Sequence, residues 1–227
     1  LPYVRQMAAY RIADLLMVTR LIGEQKAAES YLFNQEVLYD HPDYLAFFKD
    51  LYKGKLLEWA SQSSGGKLYD AIMTKPNYDS LFHYVMRQEL ITGREVGELF
   101  VVYGLFDWHY EKGIPKTKLL HLLRSAQEKQ VHPRLKQITR HFIQDLDKLS
   151  PGKPAPTLEA LDPMGKSFSL NDFKDKWAVY LVFFSAQNPG TLSELLGTRA
   201  FFGPFEKELK VVGICLDCNF TSLHQLV

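Results

Sequence analysis

Residues Ser150–Pro156, SPGKPAP, put three prolines into seven positions and separate two stretches of different periodicity. Proline fixes φ and offers no N–H, so no helix runs through such a segment. Before it, apolar residues recur every three or four positions. After it come short runs that are apolar on both faces. A chain divided in this way cannot be one helical bundle or one sheet. It reads as two domains, 1–149 and 150–227.

The first stretch is helical throughout. Val4, Ala8, Ile12, Leu15 and Leu16 fall on one face of a helix over Tyr3–Ile22, which is expected to be its buried face. Val96, Leu99, Phe100, Tyr103, Phe106 and Tyr110 repeat the spacing, as do Leu135, Ile138, Phe142, Leu146 and Leu149. Pro42, Pro76, Pro115 and Pro133 fall between these runs or at their starts, where the missing N–H costs nothing. His41 and His132 each precede a proline and are expected to mark helix starts. The pattern predicts six or seven helices and no strand. The aromatic residues of Tyr31–Tyr52 are expected to pack between helices, with any exposed rings left for a partner surface.

The second stretch reads as an α/β arrangement. Thr157–Leu161, a turn at Asp162–Lys166 and Ser167–Leu170 form a small hairpin. Ala178–Ser185, AVYLVFFS, is apolar on both faces, so it is expected to be a central strand covered on both sides. A helix is expected to about Leu209, then a second strand, Lys210–Leu216. Strand, helix and strand at this spacing predict a right-handed βαβ unit with a parallel pair. Asn188–Pro189 supplies a capping side chain ahead of an N1 proline. Thr191-x-x-Glu194 matches a capping box.

Several function classes find no support. With 27 Lys and Arg against 26 Asp and Glu, charge gives no case for nucleic acid or an anionic membrane. No apolar run approaches the roughly 20 residues needed to cross a bilayer. The seven histidines show no metal-ligand spacing, and there is no phosphate-cradling glycine loop or Gly-x-Ser-x-Gly, so neither a metal nor a cofactor is expected. Asp107-Trp108-His109-Tyr110-Glu111 is expected to be a packed aromatic face, because alternate residues diverge around a helix. The two cysteines form Cys215-Leu216-Asp217-Cys218. Cys215 is expected in the second strand and Cys218 in the loop after it. The chain begins at Leu1 and not at Met, which is expected of a fragment or a processed product.

Gly152-x-Pro154-Ala155-Pro156, Asp162-x-x-Gly165-Lys166, Ser169-Leu170-x-Asp172-Phe173-Lys174, the strand ending Phe183–Phe184, and Val211-Val212-Gly213 resemble the thioredoxin-like domain of TlpA-type thiol–disulfide oxidoreductases. That group overlaps the AhpC/TSA peroxiredoxin-like superfamily. The resemblance spans Pro151–Asp217. The helical stretch resembles, more weakly, the segment ahead of this domain in some Gram-negative envelope proteins, which implies a periplasmic or envelope location. In the family a Trp-Cys-x-x-Cys opens the first helix. Here Gln187 takes the Trp position, Asn188 the first Cys and Thr191 the second. Catalysis needs a thiolate at that helix end, and Asn and Thr supply none.

The resemblance therefore implies a C-terminally truncated thioredoxin-like βαβ domain without the active-site dithiol. The expected function is binding or scaffolding of a protein partner or client, with no catalytic residues. The alternative is a TlpA-type or peroxiredoxin-like enzyme using Cys215 and Cys218, which lie after the second strand and not at the first helix. A third reading makes the helical domain a dimerisation module. Ser222-x-x-Gln225 starts another helix at Thr221–Val227. The antiparallel strand pair that the fold implies next is missing, so strand Ala178–Ser185 would present an open edge. A longer chain is the favoured completion, and a second copy, giving a homo-oligomer, is the other.

Overall fold

The computed structural model, which describes residues 2–62, 66–111, 113–162 and 164–217, builds its helical part around one central helix. The elements are α1 (Pro2–Val18), α2 (Glu24–Tyr31), α3 (Pro42–Tyr52), α4 (Lys55–Ser61), α5 (Gly66–Tyr69), α6 (Tyr78–Val85), α7 (Arg94–Trp108), α8 (Lys116–Lys129) and α9 (Pro133–Asp147). A π-helical turn, Asp70–Thr74, joins α5 to α6. α7 touches α3, α4, α6, α8 and α9, and Val96, Leu99, Phe100, Val101, Val102 and Leu105 on it are all buried. Mixed α and β structure is distributed over two compact units, Leu1–Pro154 and Ala155–Val227.

Helix starts follow from local chemistry. His41 Nδ1 accepts from the Tyr44 amide at 3.3 Å with Pro42 at N1. His132 Nδ1 accepts from the Arg134 amide at 3.2 Å with Pro133 behind it. Asn77 Oδ1 accepts from the Ser80 amide at 2.9 Å and opens α6. Each satisfies an N–H that has no partner inside its helix. Tyr44, Phe47 and Phe48 of α3 are fully buried, and the Tyr44 ring meets Tyr10 edge-on at 5.2 Å. The aromatic run of residues 31–52 is thus mainly core.

Three expectations for this unit need correction. The helices are more numerous than six or seven, because Gly54, at φ +71°, breaks α3 from α4 and the short α5 stands apart. Tyr110 and Leu149 lie beyond the ends of α7 and α9 and are exposed. The face of α1 bearing Val4, Ala8, Ile12 and Leu15 points outward, with Leu16 at its edge half-buried. Tyr10 and Ala13, on the opposite face, are the residues that α1 buries. α1 is apolar nearly all round, so spacing alone cannot choose between its two faces.

In the second unit β1 (Glu159–Leu161) pairs antiparallel with β2 (Ser167–Ser169). Asp162 Oδ1 closes the turn by accepting from the Met164 and Lys166 amides. A 3-10 turn, Leu170–Phe173, follows, opened by a capping box between Ser169 and Asp172. β3 (Ala178–Phe184) then pairs parallel with β4 (Leu209–Cys215), from Ala178 opposite Leu209 to Phe184 opposite Cys215. α10 (Pro189–Phe202) connects them and packs on both.

The connecting helix stops at Phe202 and not near Leu209, because Gly203 and Pro204 turn the chain into a 3-10 segment. Among the described residues β3 is also not covered on both faces as expected. Tyr180 faces α10, its ring 4.9 Å from Phe202, while Phe183 on the other face is 53% exposed. Among the described residues β3 pairs only with β4. The expected helix at Thr221–Val227 lies outside the described residues, as does Cys218.

Candidate functional site

The residues singled out by sequence meet at the carboxyl ends of β3 and β4. Asn188 is the N-cap of α10, its Oδ1 accepting from the Gly190 amide at 3.0 Å with Pro189 at N1. Thr191 sits one turn in. Its hydroxyl lies 3.0 Å from the Ser185 carbonyl and 2.9 Å from the Asn188 carbonyl, and its oxygen accepts from the Ser185 amide at 3.3 Å. Thr191 therefore ties the helix back to the end of β3. It does not open a capping box with Glu194, because Asn188 already occupies the cap. Gln187 is exposed in the same turn, and its amide donates to Ser185 Oγ at 3.2 Å.

Asp217 completes the arrangement, and sequence reading passed over it. Its Oδ2 accepts from the Ser185 hydroxyl at 2.6 Å and its Oδ1 from the Ala186 amide at 2.8 Å. These two bonds, the hydroxyl first, hold the Asp217 carboxyl below the usual carboxylate value. The one available signal was position. Asp217 lies two residues past an apolar strand, at the end of a parallel pair where α/β sheets gather polar groups.

Cys215 ends β4 as expected, opposite Phe184, and is disulfide-bonded. Its Sγ lies 3.6 Å from Asp217 Oδ1. A thiolate formed there on reduction would face that carboxylate, which opposes its formation. The site thus combines a capped helix start, an exposed carboxylate hydrogen-bonded to the turn and one cysteine sulfur. At Asn188 and Thr191 it holds no sulfur.

Residues Asp107–Glu111 run across the end of α7 at Trp108 and divide between core and solvent. Trp108 and His109 are buried, while Asp107 and Tyr110 are exposed. Burial pulls the His109 imidazole below its ordinary value, and Lys116 adds to this. A groove of about 400 Å³ beside them is lined by Lys49, Lys53, Leu56, Gly104, Asp107 and Trp108, among others. Desolvation raises the Asp107 carboxyl, while Lys49 and Lys53 pull it back down. Among the described residues no group of three or more His, Cys, Asp or Glu could hold a metal ion. No described helix is long and apolar enough to cross a membrane.

Comparison with known proteins finds no matching family model, no matching curated protein and no matching solved structure.

Proposed function

We propose that this chain is a redox-inactive thioredoxin-like protein of the cell envelope that acts by binding a protein partner or client. One observation supports this most directly. At the strand–turn–helix position where the TlpA resemblance calls for a dithiol, the Asn188 and Thr191 oxygens are already engaged in building the turn. Such a turn keeps the helix start and lacks the sulfur that mixed-disulfide chemistry requires. The periplasmic location rests on the same resemblance.

The competing reading is a thiol–disulfide oxidoreductase working through Cys215 and Cys218. The position of Cys215 at the carboxyl end of the parallel pair favours it, and the neighbouring Asp217 carboxylate weighs against it. Dithiothreitol-dependent insulin reduction separates the two. The binding reading expects no turnover above buffer from folded protein. Turnover that disappears in Cys215→Ser/Cys218→Ser overturns it and makes those sulfurs catalytic.

A further inference from the structure

The outward face of α1 is an apolar feature of the helical unit that the fold leaves unexplained. Val4, Ile12, Leu15 and Val18 are between 49% and 81% exposed, and Ala8 is exposed between them. They follow one another at four- and three-residue steps, so they form a continuous stripe along the helix. Just past the helix end, Leu21 is exposed too. A helix apolar on both faces is normally buried on both.

We infer that this stripe pairs with the same stripe of a second copy, the two α1 helices lying antiparallel. Three observations favour a copy of this chain over an unrelated partner. The first is area. The six exposed residues offer roughly 500 Å² per copy, about 1,000 Å² between two, the lower limit of a specific interface. The same area is typical of a functional patch on a monomer. The second is shape. A two-fold axis midway between Ala8 and Ile12 sets each small Ala8 opposite an Ile12 and each Val4 opposite a Leu15. A notch then meets a knob on either side of the axis.

The third is charge. Arg11 lies within the stripe, and its guanidinium donates to Asp43 Oδ1 at 2.7 Å in its own chain. That pair removes the repulsion that two closely placed arginines would otherwise bring to a self-contact. Arg5, at the margin, lies far from its symmetry mate in an antiparallel arrangement and can extend to water. The dimer is independent of the redox reading, since it uses nothing from the second unit.

Sedimentation equilibrium of the full chain over a wide concentration range tests it, beside Leu15→Glu, Ile12→Lys and Phe183→Glu. The wild type is expected to pass from monomer to dimer as concentration rises. Leu15→Glu and Ile12→Lys are expected to weaken dimerisation about tenfold or more, with unchanged circular dichroism, and Phe183→Glu is expected to leave it intact. A wild type that stays monomeric near millimolar concentration overturns the proposal. So does a dimer that survives both α1 variants, or one lost only with Phe183→Glu, which would assign the contact to the open sheet face. If either α1 variant fails to fold, its side chain is covered within the monomer, and that also overturns it.

Discussion

The Ser185 hydroxyl, one residue past β3, donates a 2.6 Å hydrogen bond to the carboxylate of Asp217, two residues past β4. The bond joins the carboxyl ends of two strands that are distant in sequence. With the Ala186 amide on the other oxygen, the exposed Asp217 carboxylate is tied to the turn ahead of α10. Its depressed value gives the sign of the pH effect. The contribution is present above the unfolded value and is lost as pH falls through the lower folded one. The Ala186 amide proton shift is therefore expected to inflect below the ordinary carboxylate range. In Asp217→Asn that inflection disappears. An unchanged curve in the variant would remove Asp217 from the turn.

The cap residue and Thr191 lie one turn apart at the start of α10. Asn188→Cys with Thr191→Cys, made in a Cys215→Ser/Cys218→Ser chain, is expected to form a disulfide that dithiothreitol reverses. Alkylation followed by mass measurement counts the thiols. Losing the Asn188 cap costs about 1 kcal/mol, which leaves the unit folded. Two free thiols in well-folded oxidised protein would count against the equivalence of this turn with a dithiol site.

Asp14 faces the other way electrostatically. Burial first, then Asp50 and Asp43, raise its carboxyl from 3.8 to about 6, and its buried Oδ1 has no hydrogen-bond partner. A raised carboxyl favours the protonated folded state. Its contribution is full below about pH 4 and is lost as pH rises through about 6. The helical unit is expected to melt higher near pH 5 than near pH 7.5. Asp14→Asn should remove most of that difference by raising the upper-pH melting temperature. A variant that melts lower at the higher pH would contradict this.

Where α4 crosses α7, a Cβ at Gly104 would stand 2.9 Å from Leu56 Cδ2 and 3.0 Å from Leu56 Cβ. Alanine favours a helix by about 1 kcal/mol over glycine, yet overpacking of this kind costs about 1–3 kcal/mol. The clash reaches the base of the Leu56 side chain, which cannot swing away. Gly104→Ala is expected to lose about 1 kcal/mol net in urea unfolding. In a double-mutant cycle, adding Leu56→Ala should recover part of the loss that Gly104→Ala causes on its own. Strict additivity would mean that the two positions do not meet.

Local chemistry was readable in the sequence, and long-range contact was not. His41–Pro42, His132–Pro133 and Asn188–Pro189 start helices because the signal and its effect lie within three residues. The turn residue Asp162 closes its hairpin for the same reason. Spacing located α1 but chose the wrong face, since Val4, Ile12 and Leu15 are as apolar as Tyr10 and Ala13. Thr191 carried the letters of a capping box while Asn188, three residues earlier, took the role. Asp217 was missed because its partners, Ser185 and Ala186, lie more than thirty residues away and are set by the register of β3 on β4.

That register also orders events in time. Among the described residues β3 has nothing to pair with until α10 and the whole of β4 have been made, since Ala178 waits for Leu209 and Phe184 for Cys215. The helical unit meets no such delay, because its neighbouring helices contact each other as they emerge. During synthesis, therefore, α1 through α9 can assemble while β3 is still a bare apolar strand. Its Tyr180, Phe183 and Phe184 are then the residues a chaperone would meet first.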